Sequence, residues 1–127
     1  MKFLVVDDSP IMRRIVINAL GACGFKSFVE AEDGSKAIGI LKGDKIDFVI
    51  TDWNMPVMNG LDLTTAIRSD ESLNKTPILM VTTRVAKEDI INALKAKVNN
   101  YLIKPFTPIM LKEKIDSIVG PILDPFI

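Results

Sequence analysis

The chain has 127 residues, 48% of them apolar, which suits one compact domain with a sizeable core and leaves little room for a second. Lys plus Arg equals Asp plus Glu, 16 of each, and this zero formal charge argues against the basic surface that non-specific nucleic-acid binding needs. The absence of histidine excludes histidine general bases, histidine metal ligands and a phosphohistidine carrier, while the single cysteine, Cys23, excludes an internal disulfide and fits a reducing compartment.

The run Phe3-Leu4-Val5-Val6 predicts a buried strand over residues 2–6 that ends in Asp7-Asp8. Ser9 can cap the next helix, with Pro10 at the first helical position. Met12, Val16, Ala19, Leu20 and Cys23 give that helix its apolar face, and Gly24 stops it. A weaker second strand is expected over 27–31. Asp33-Gly34 signals a turn, and the short helix after it faces Ala37, Ile38 and Leu41 inward. The third strand, 47–51, carries Phe48-Val49-Ile50-Thr51 and ends in Asp52. Residues 53–60 form a loop by their Asn, Pro and Gly content, and a helix over 61–68 follows. A polar connection, 69–77, leads into Ile78-Leu79-Met80-Val81, the fourth strand, which ends in Thr82-Thr83. Residues 87–96 read as a helix. The short fifth strand, 100–103, holds Tyr101-Leu102-Ile103 and ends in Lys104-Pro105. The last helix starts near Thr107-Pro108, again a cap followed by proline, with Leu111, Ile115, Ile118, Val119 and Ile122 as its stripe. The apolar tail 120–127 is expected to pack on the surface or fray.

Strand and helix alternate throughout, which predicts an α/β domain occupying residues 1–127 as a single unit. Right-handed crossovers then give a flavodoxin-like, doubly wound, five-stranded parallel sheet in the order 2-1-3-4-5. Strands one, three, four and five are contiguous in that order, so Asp7, Asp8, Asp52, Thr82 and Lys104 converge at the carboxyl edge, where open α/β sheets bind ligands. No stretch reaches the roughly 18 to 20 apolar residues of a membrane span. The chain enters a strand at once, so neither a signal peptide nor membrane insertion is expected, and the predicted location is cytoplasmic.

Three neighbouring carboxylates repel: two like charges about 4 Å apart cost roughly 4 kcal/mol at an effective dielectric of about 20. A hard divalent cation removes the conflict, and Mg²⁺ suits the task because it uses one or two carboxylates, keeps waters and accepts phosphate oxygens. Asp52 is the nucleophile of choice, since a carboxylate can attack a phosphoryl group and form an aspartyl phosphate. Lys104 would neutralise the other side, and Thr82 can donate its hydroxyl to a phosphoryl oxygen. Tyr101, the only tyrosine, can turn its amphipathic ring inward as a switch or outward, and the residues alone favour a plain edge-strand aromatic.

The motifs Val5-Val6-Asp7-Asp8-Ser9, Thr51-Asp52-Trp53-Asn54-Met55-Pro56-Val57-Met58-Asn59-Gly60, Met80-Val81-Thr82-Thr83 and Tyr101-Leu102-Ile103-Lys104-Pro105-Phe106 together resemble the receiver domain of two-component response regulators, in its stand-alone chemotaxis form. The resemblance covers about residues 2–119, and the strand order 2-1-3-4-5 is the family's own, so the two readings are not independent. It implies that Asp52 is the phosphoacceptor, loaded by a sensor histidine kinase. Asp7 and Asp8 are then the Mg²⁺ carboxylates beside Asp52, with the backbone carbonyl of Asn54 completing the protein ligands. Thr82 and Lys104 are the phosphate-sensing hydroxyl and amine, and Tyr101 turns inward when Thr82 moves toward the phosphate. The family's output face implies Lys87, Ile90, Tyr101, Ile103, Phe106 and Lys114 as partner-binding residues. The implied partners are the flagellar motor switch or another output protein, and a phosphatase, bound by a monomer that catalyses only its own phosphorylation and dephosphorylation.

Some positions depart from the family's chemotaxis pattern. Arg84 stands where the residue is often acidic or small and, with Asn54, flanks the path of the hydrolytic water. Thr83 replaces a common alanine beside the swing of Tyr101. Lys97 replaces a usual glycine, so Asn99-Asn100 are expected to supply the left-handed residue. The apolar tail is extra and could alter or cover the output face. Two other readings compete: a receiver that serves as a phosphate sink or outside chemotaxis, and an aspartate-nucleophile phosphohydrolase. Such hydrolases place Asp-x-Asp on the first strand and carry a cap domain, whereas this chain has Asp7-Asp8 and no room for a cap.

Overall fold

The apolar runs become strands. The computed structural model describes residues 1–120. It contains β1 (Lys2–Val6), α1 (Pro10–Ala22), β2 (Ser27–Ala31), α2 (Gly34–Gly43), β3 (Phe48–Thr51), α3 (Gly60–Ser69), β4 (Ile78–Thr82), α4 (Lys87–Lys95), β5 (Asn100–Ile103) and α5 (Pro108–Val119). The five strands form one parallel sheet in the order β2-β1-β3-β4-β5, as expected. Ile122 and residues 121–127 of the expected tail lie outside the described residues.

Side chains along a strand alternate between faces, so each strand feeds two cores. Leu4, Val6, Val49, Ile78 and Met80 pack with Ala37 and Leu41 of α2, Leu63 and Ile67 of α3 and Ala93 of α4. Phe3, Val5, Phe48, Ile50, Leu79 and Val81 pack with Val16, Ala19 and Leu20 of α1 and with Leu111 and Ile115 of α5. Such double-sided burial explains why β1, β3 and β4 read as unbroken apolar runs rather than as alternations.

Caps set where the helices begin. Ser9 Oγ accepts the Met12 N–H, and Thr107 Oγ1 accepts the Met110 N–H, each with proline at the start of its helix. Asp33 and Asn59 cap α2 and α3 in the same way. Asp47 stays outside β3: its carboxylate and its N–H both bond the main chain of Lys2.

Two expectations need correction. Cys23 is not on the core face of α1, because the helix ends at Ala22 and Cys23 is its half-buried cap, with the thiol 3.4 Å from the Pro108 carbonyl oxygen that accepts from it. The left-handed residue after α4 is Lys97 itself, at φ +76°, and neither Asn99 nor Asn100. The Val98 N–H closes the helix end on the Ala93 carbonyl around Lys97, and Arg68 braces the turn. Its Nε donates to the Lys97 carbonyl at 3.0 Å, Nη1 donates to the carbonyls of Thr76 and Asn74, and Nη2 donates to Asn99 Oδ1. Asn99 Oδ1 also accepts the Ile78 N–H, so that side chain already pairs β4 and has no part in the turn.

The loop between β3 and α3 passes closely over the sheet edge. The Gly34 N–H donates to the Met58 carbonyl, and a Cβ at Gly34 would lie 2.6 Å from Met58 Cγ. Val57 sits at φ +66° in a one-residue turn closed by the Met58 N–H on the Pro56 carbonyl, with its side chain 84% exposed. A β-branched residue in that region costs on the order of 1–3 kcal/mol, and glycine repays part of the gain through unfolded-chain entropy. Val57→Gly is therefore expected to stabilise the domain by about 1 kcal/mol, read as a higher urea midpoint at unchanged slope. A lower midpoint would mean that the Val57 side chain makes a contact worth more than the strain. Among the described residues, no helix is long and apolar enough to cross a membrane.

Candidate functional site

The carboxyl ends of β1, β3, β4 and β5 deliver the reactive side chains, because parallel neighbours end at the same edge. Asp7 follows β1 and is 4% exposed. Its Oδ1 accepts the Ser9 N–H at 2.9 Å, and its Oδ2 accepts Lys104 Nζ at 3.1 Å. Asp8 is exposed. Asp52 follows β3, where its N–H bonds the Val6 carbonyl and fixes it beside Asp7. Asp52 Oδ1 accepts the Trp53 N–H at 2.7 Å, and Oδ2 lies 3.3 Å from Lys104 Nζ. Carboxylate oxygens of Asp7, Asp8 and Asp52 all lie within 4.8 Å of one another.

Lys104 is held by its own N–H on the Thr82 carbonyl, next to a cis peptide to Pro105, and its ammonium lies between Asp7 and Asp52. Three carboxylates against one ammonium leave a formal charge of −3 + 1 = −2, which a divalent cation complements. All the donors are hard oxygens, and the exposed Asp8 leaves room for retained waters, so the residues present fit Mg²⁺. Thr82 is fully buried, and its Oγ1 accepts the Arg84 N–H at 3.3 Å. Asn54 stands exposed on the loop two residues past Asp52.

Tyr101 is 8% exposed, and its hydroxyl donates to the Arg84 carbonyl at 2.8 Å. The ring therefore occupies the inward of its two options. Burial pushes the phenol up to about 12, with the Asp89 carboxylate adding to the shift and the Arg84 cation opposing it. Thr83 is exposed. Of the other residues expected to bind a partner, Ile90 and Ile103 pack against the core that holds Tyr101, whereas Phe106 packs into the opposite core with α1 and α5. Lys87 is exposed at the start of α4, and Lys114 is half-buried on α5.

One arginine at the site, Arg13, has no signal in the sequence reading, and a second, Arg84, makes contacts the sequence does not show. Arg13 Nη1 donates to the Asp7 carbonyl at 2.6 Å, and its Nε donates to Glu30 Oε1 at 2.9 Å, tying α1 to the end of β2. The sequence places Arg84 with Asn54 beside the path of the hydrolytic water but does not show the contact. Its guanidinium in fact binds Asn54 and lies over Trp53. Neither spacing is regular, so the only available signal was an arginine within reach of a strand end.

The family model for the response regulator receiver domain matches residues 3–116. A chemotaxis protein of Vibrio cholerae, CheY-3, is 52% identical over 118 residues, covering 93% of this chain and 91% of that protein. Chemotaxis protein CheY1 of Helicobacter pylori is 51% identical over 121 residues, covering 94% and 98% respectively. Among solved structures, the receiver domain of a sensor histidine kinase of Pseudomonas aeruginosa PAO1, with a magnesium ion coordinated in its active site cleft, aligns with a TM-score of 0.84 at 28% identity, covering 94% of this chain and 97% of that one.

Proposed function

The chain belongs to the response regulator receiver family, a family of signalling domains, and on that premise we propose that it is a phosphorylation-activated chemotaxis switch. A sensor histidine kinase supplies the phosphoryl group. An oxygen of the Asp52 carboxylate forms the new bond to phosphorus while the bond from phosphorus to the donor imidazole breaks, and the imidazole leaves with its electron pair and takes a proton. Asp7, Asp8, Asp52 and the Asn54 carbonyl are the residues that would hold Mg²⁺, which supplies the charge neutralisation that lets an anionic carboxylate meet an anionic phosphoryl group.

The chain's own groups do the rest. Lys104, already poised between Asp7 and Asp52, offers its ammonium to the new phosphoryl oxygens. The buried Thr82 hydroxyl turns from the Arg84 N–H toward the phosphoryl group, and the inward state of Tyr101 is favoured. This biases a two-state equilibrium toward the form that binds the output partner, here the flagellar motor switch, through Lys87, Ile90, Tyr101, Ile103, Phe106 and Lys114. The protein works as a cytoplasmic monomer reset by hydrolysis or by a phosphatase, and it turns over no outside substrate.

The observation that carries this reading is the cluster of three carboxylates at the sheet edge, two of them paired to one ammonium, in a chain half identical to chemotaxis regulators. The test is intact mass after incubation with acetyl phosphate, with Mg²⁺ and with a chelator. One phosphoryl adduct is expected with Mg²⁺ and none with chelator. A folded chain that gains no adduct and consumes no acetyl phosphate would overturn the reading.

A further inference from the structure

Between the acidic cluster and Tyr101 stands one side chain that phosphoryl transfer does not call for. The Arg84 guanidinium donates to Asn54 Oδ1 through Nε at 3.2 Å and Nη2 at 2.7 Å, a fork that only arginine presents. Its Nη1 lies 3.5 Å from Asp89 Oδ2, in the first turn of α4. Its Cζ sits 4.5 Å from the centroid of the Trp53 ring, the residue next to Asp52. The main chain of the same residue serves the other side. Its N–H donates to Thr82 Oγ1, and its carbonyl accepts the Tyr101 hydroxyl.

Residue 84 lies between β4 and α4, in neither element. Three side-chain attachments hold it in place, and its position decides where the Tyr101 hydroxyl finds an acceptor. We propose that Arg84 is a positioning residue that ties Asn54 to Tyr101, so that a divalent cation held at the acidic cluster shifts Tyr101 without any phosphoryl transfer. This rests on the reading of the Asn54 carbonyl as a cation ligand. An Asn54 main chain that adjusts to a cation carries its side chain with it, and the fork passes the displacement to residue 84. Charge acts in the same sense: a cation at the cluster repels the guanidinium from its Asn54 end, while Asp89 keeps hold of the other. A ligand shifts a population only through an interaction that differs between the two states, and this link supplies one.

The chain has one tyrosine, so the ring signals of tyrosine-labelled protein report Tyr101 alone. The experiment titrates MgCl₂ into the full chain, following heat by calorimetry and the tyrosine ring by NMR. In the parent, both signals should share one midpoint. In Arg84→Ala the calorimetric midpoint should stay within about threefold, since the lost cation is partly exposed and screened, while most of the ring shift disappears. Arg84→Lys keeps the charge without the fork and should lose the ring shift as well. Asp89→Asn leaves the fork and should keep it. Ring signals that follow Mg²⁺ equally in Arg84→Ala and Arg84→Lys would overturn the proposal, as would a parent that binds Mg²⁺ with no ring shift. A folded parent that releases no binding heat and shows no ring shift would overturn the cation reading itself.

Discussion

Asp52→Asn should take up no phosphoryl group from acetyl phosphate while keeping its fold. The substitution replaces an anionic nucleophile with a neutral amide, which cannot form an acyl phosphate under these conditions. The local structure should survive. Asn Oδ1 can still accept the Trp53 N–H that Asp52 Oδ1 now holds at 2.7 Å. The amide NH₂ cannot accept from Lys104 Nζ, now 3.3 Å from Oδ2, but Lys104 retains Asp7 at 3.1 Å. Loss of that contact is offset by removal of one of three crowded negative charges, so stability should change by no more than about 1 kcal/mol. Intact mass checks the first claim, and a urea melt checks the second. An adduct that persisted in Asp52→Asn would move the acceptor to Asp7 or Asp8, and peptide mapping would say which.

Gly60→Ala should be the most damaging single methyl in the domain. Gly60 opens α3 and is buried. A Cβ there would overlap the Asp52 carbonyl oxygen and lie 2.9 Å from the carbon that bears it and 3.1 Å from Trp53 Cα. These are main-chain atoms, which cannot rotate aside as the end of a flexible side chain does. Gly60 is also pinned, with its N–H on the Trp53 carbonyl and its own carbonyl accepting the Thr64 hydroxyl. Overpacking of this kind costs about 3 kcal/mol, a large share of the roughly 5–15 kcal/mol that stabilises a domain. The denaturation midpoint should fall accordingly. Because the displaced backbone is that of the phosphoacceptor, Mg²⁺ affinity and phosphorylation should fall too, even where the fold persists. A midpoint unchanged from the parent would show that the loop can move away from β3.

The strands and the acidic site were legible because their causes are local. Continuous apolar runs marked β1, β3 and β4, and parallel order places the ends of those strands together, so Asp7, Asp8, Asp52, Thr82 and Lys104 followed from adjacency. Ser9 and Thr107 were readable as caps because the bonding partner lies three residues on. What escaped depends on long side chains whose partners have no fixed spacing. Arg13 reaches Glu30, Arg84 reaches back to Asn54, and Arg68 reaches forward to Lys97 and Asn99. The Lys97 expectation failed for this reason: a left-handed lysine is unfavourable alone and is held by the Val98 N–H on the Ala93 carbonyl together with the Arg68 bond to its own carbonyl. The residues alone favour a plain edge-strand aromatic for Tyr101, and the buried ring corrects this for the same reason, since its hydroxyl depends on a carbonyl in another loop.

The grip of Arg68 also decides how α4 can respond. Its four acceptors, on residues 74, 76, 97 and 99, all lie at the amino edge of the sheet, at the far end of α4 from Arg84. The start of α4 has the opposite character: Ala86 caps it with no side-chain hydrogen bond. The helix is thus gripped through the main chain just past its last turn, while its first turn is tied to residue 84 through the Asp89 carboxylate. A displacement that arrived at residue 84 would therefore pass through Asp89 to the first turn of α4, with Lys87 and Ile90, like a push on the blade of an oar whose rowlock is at Lys97.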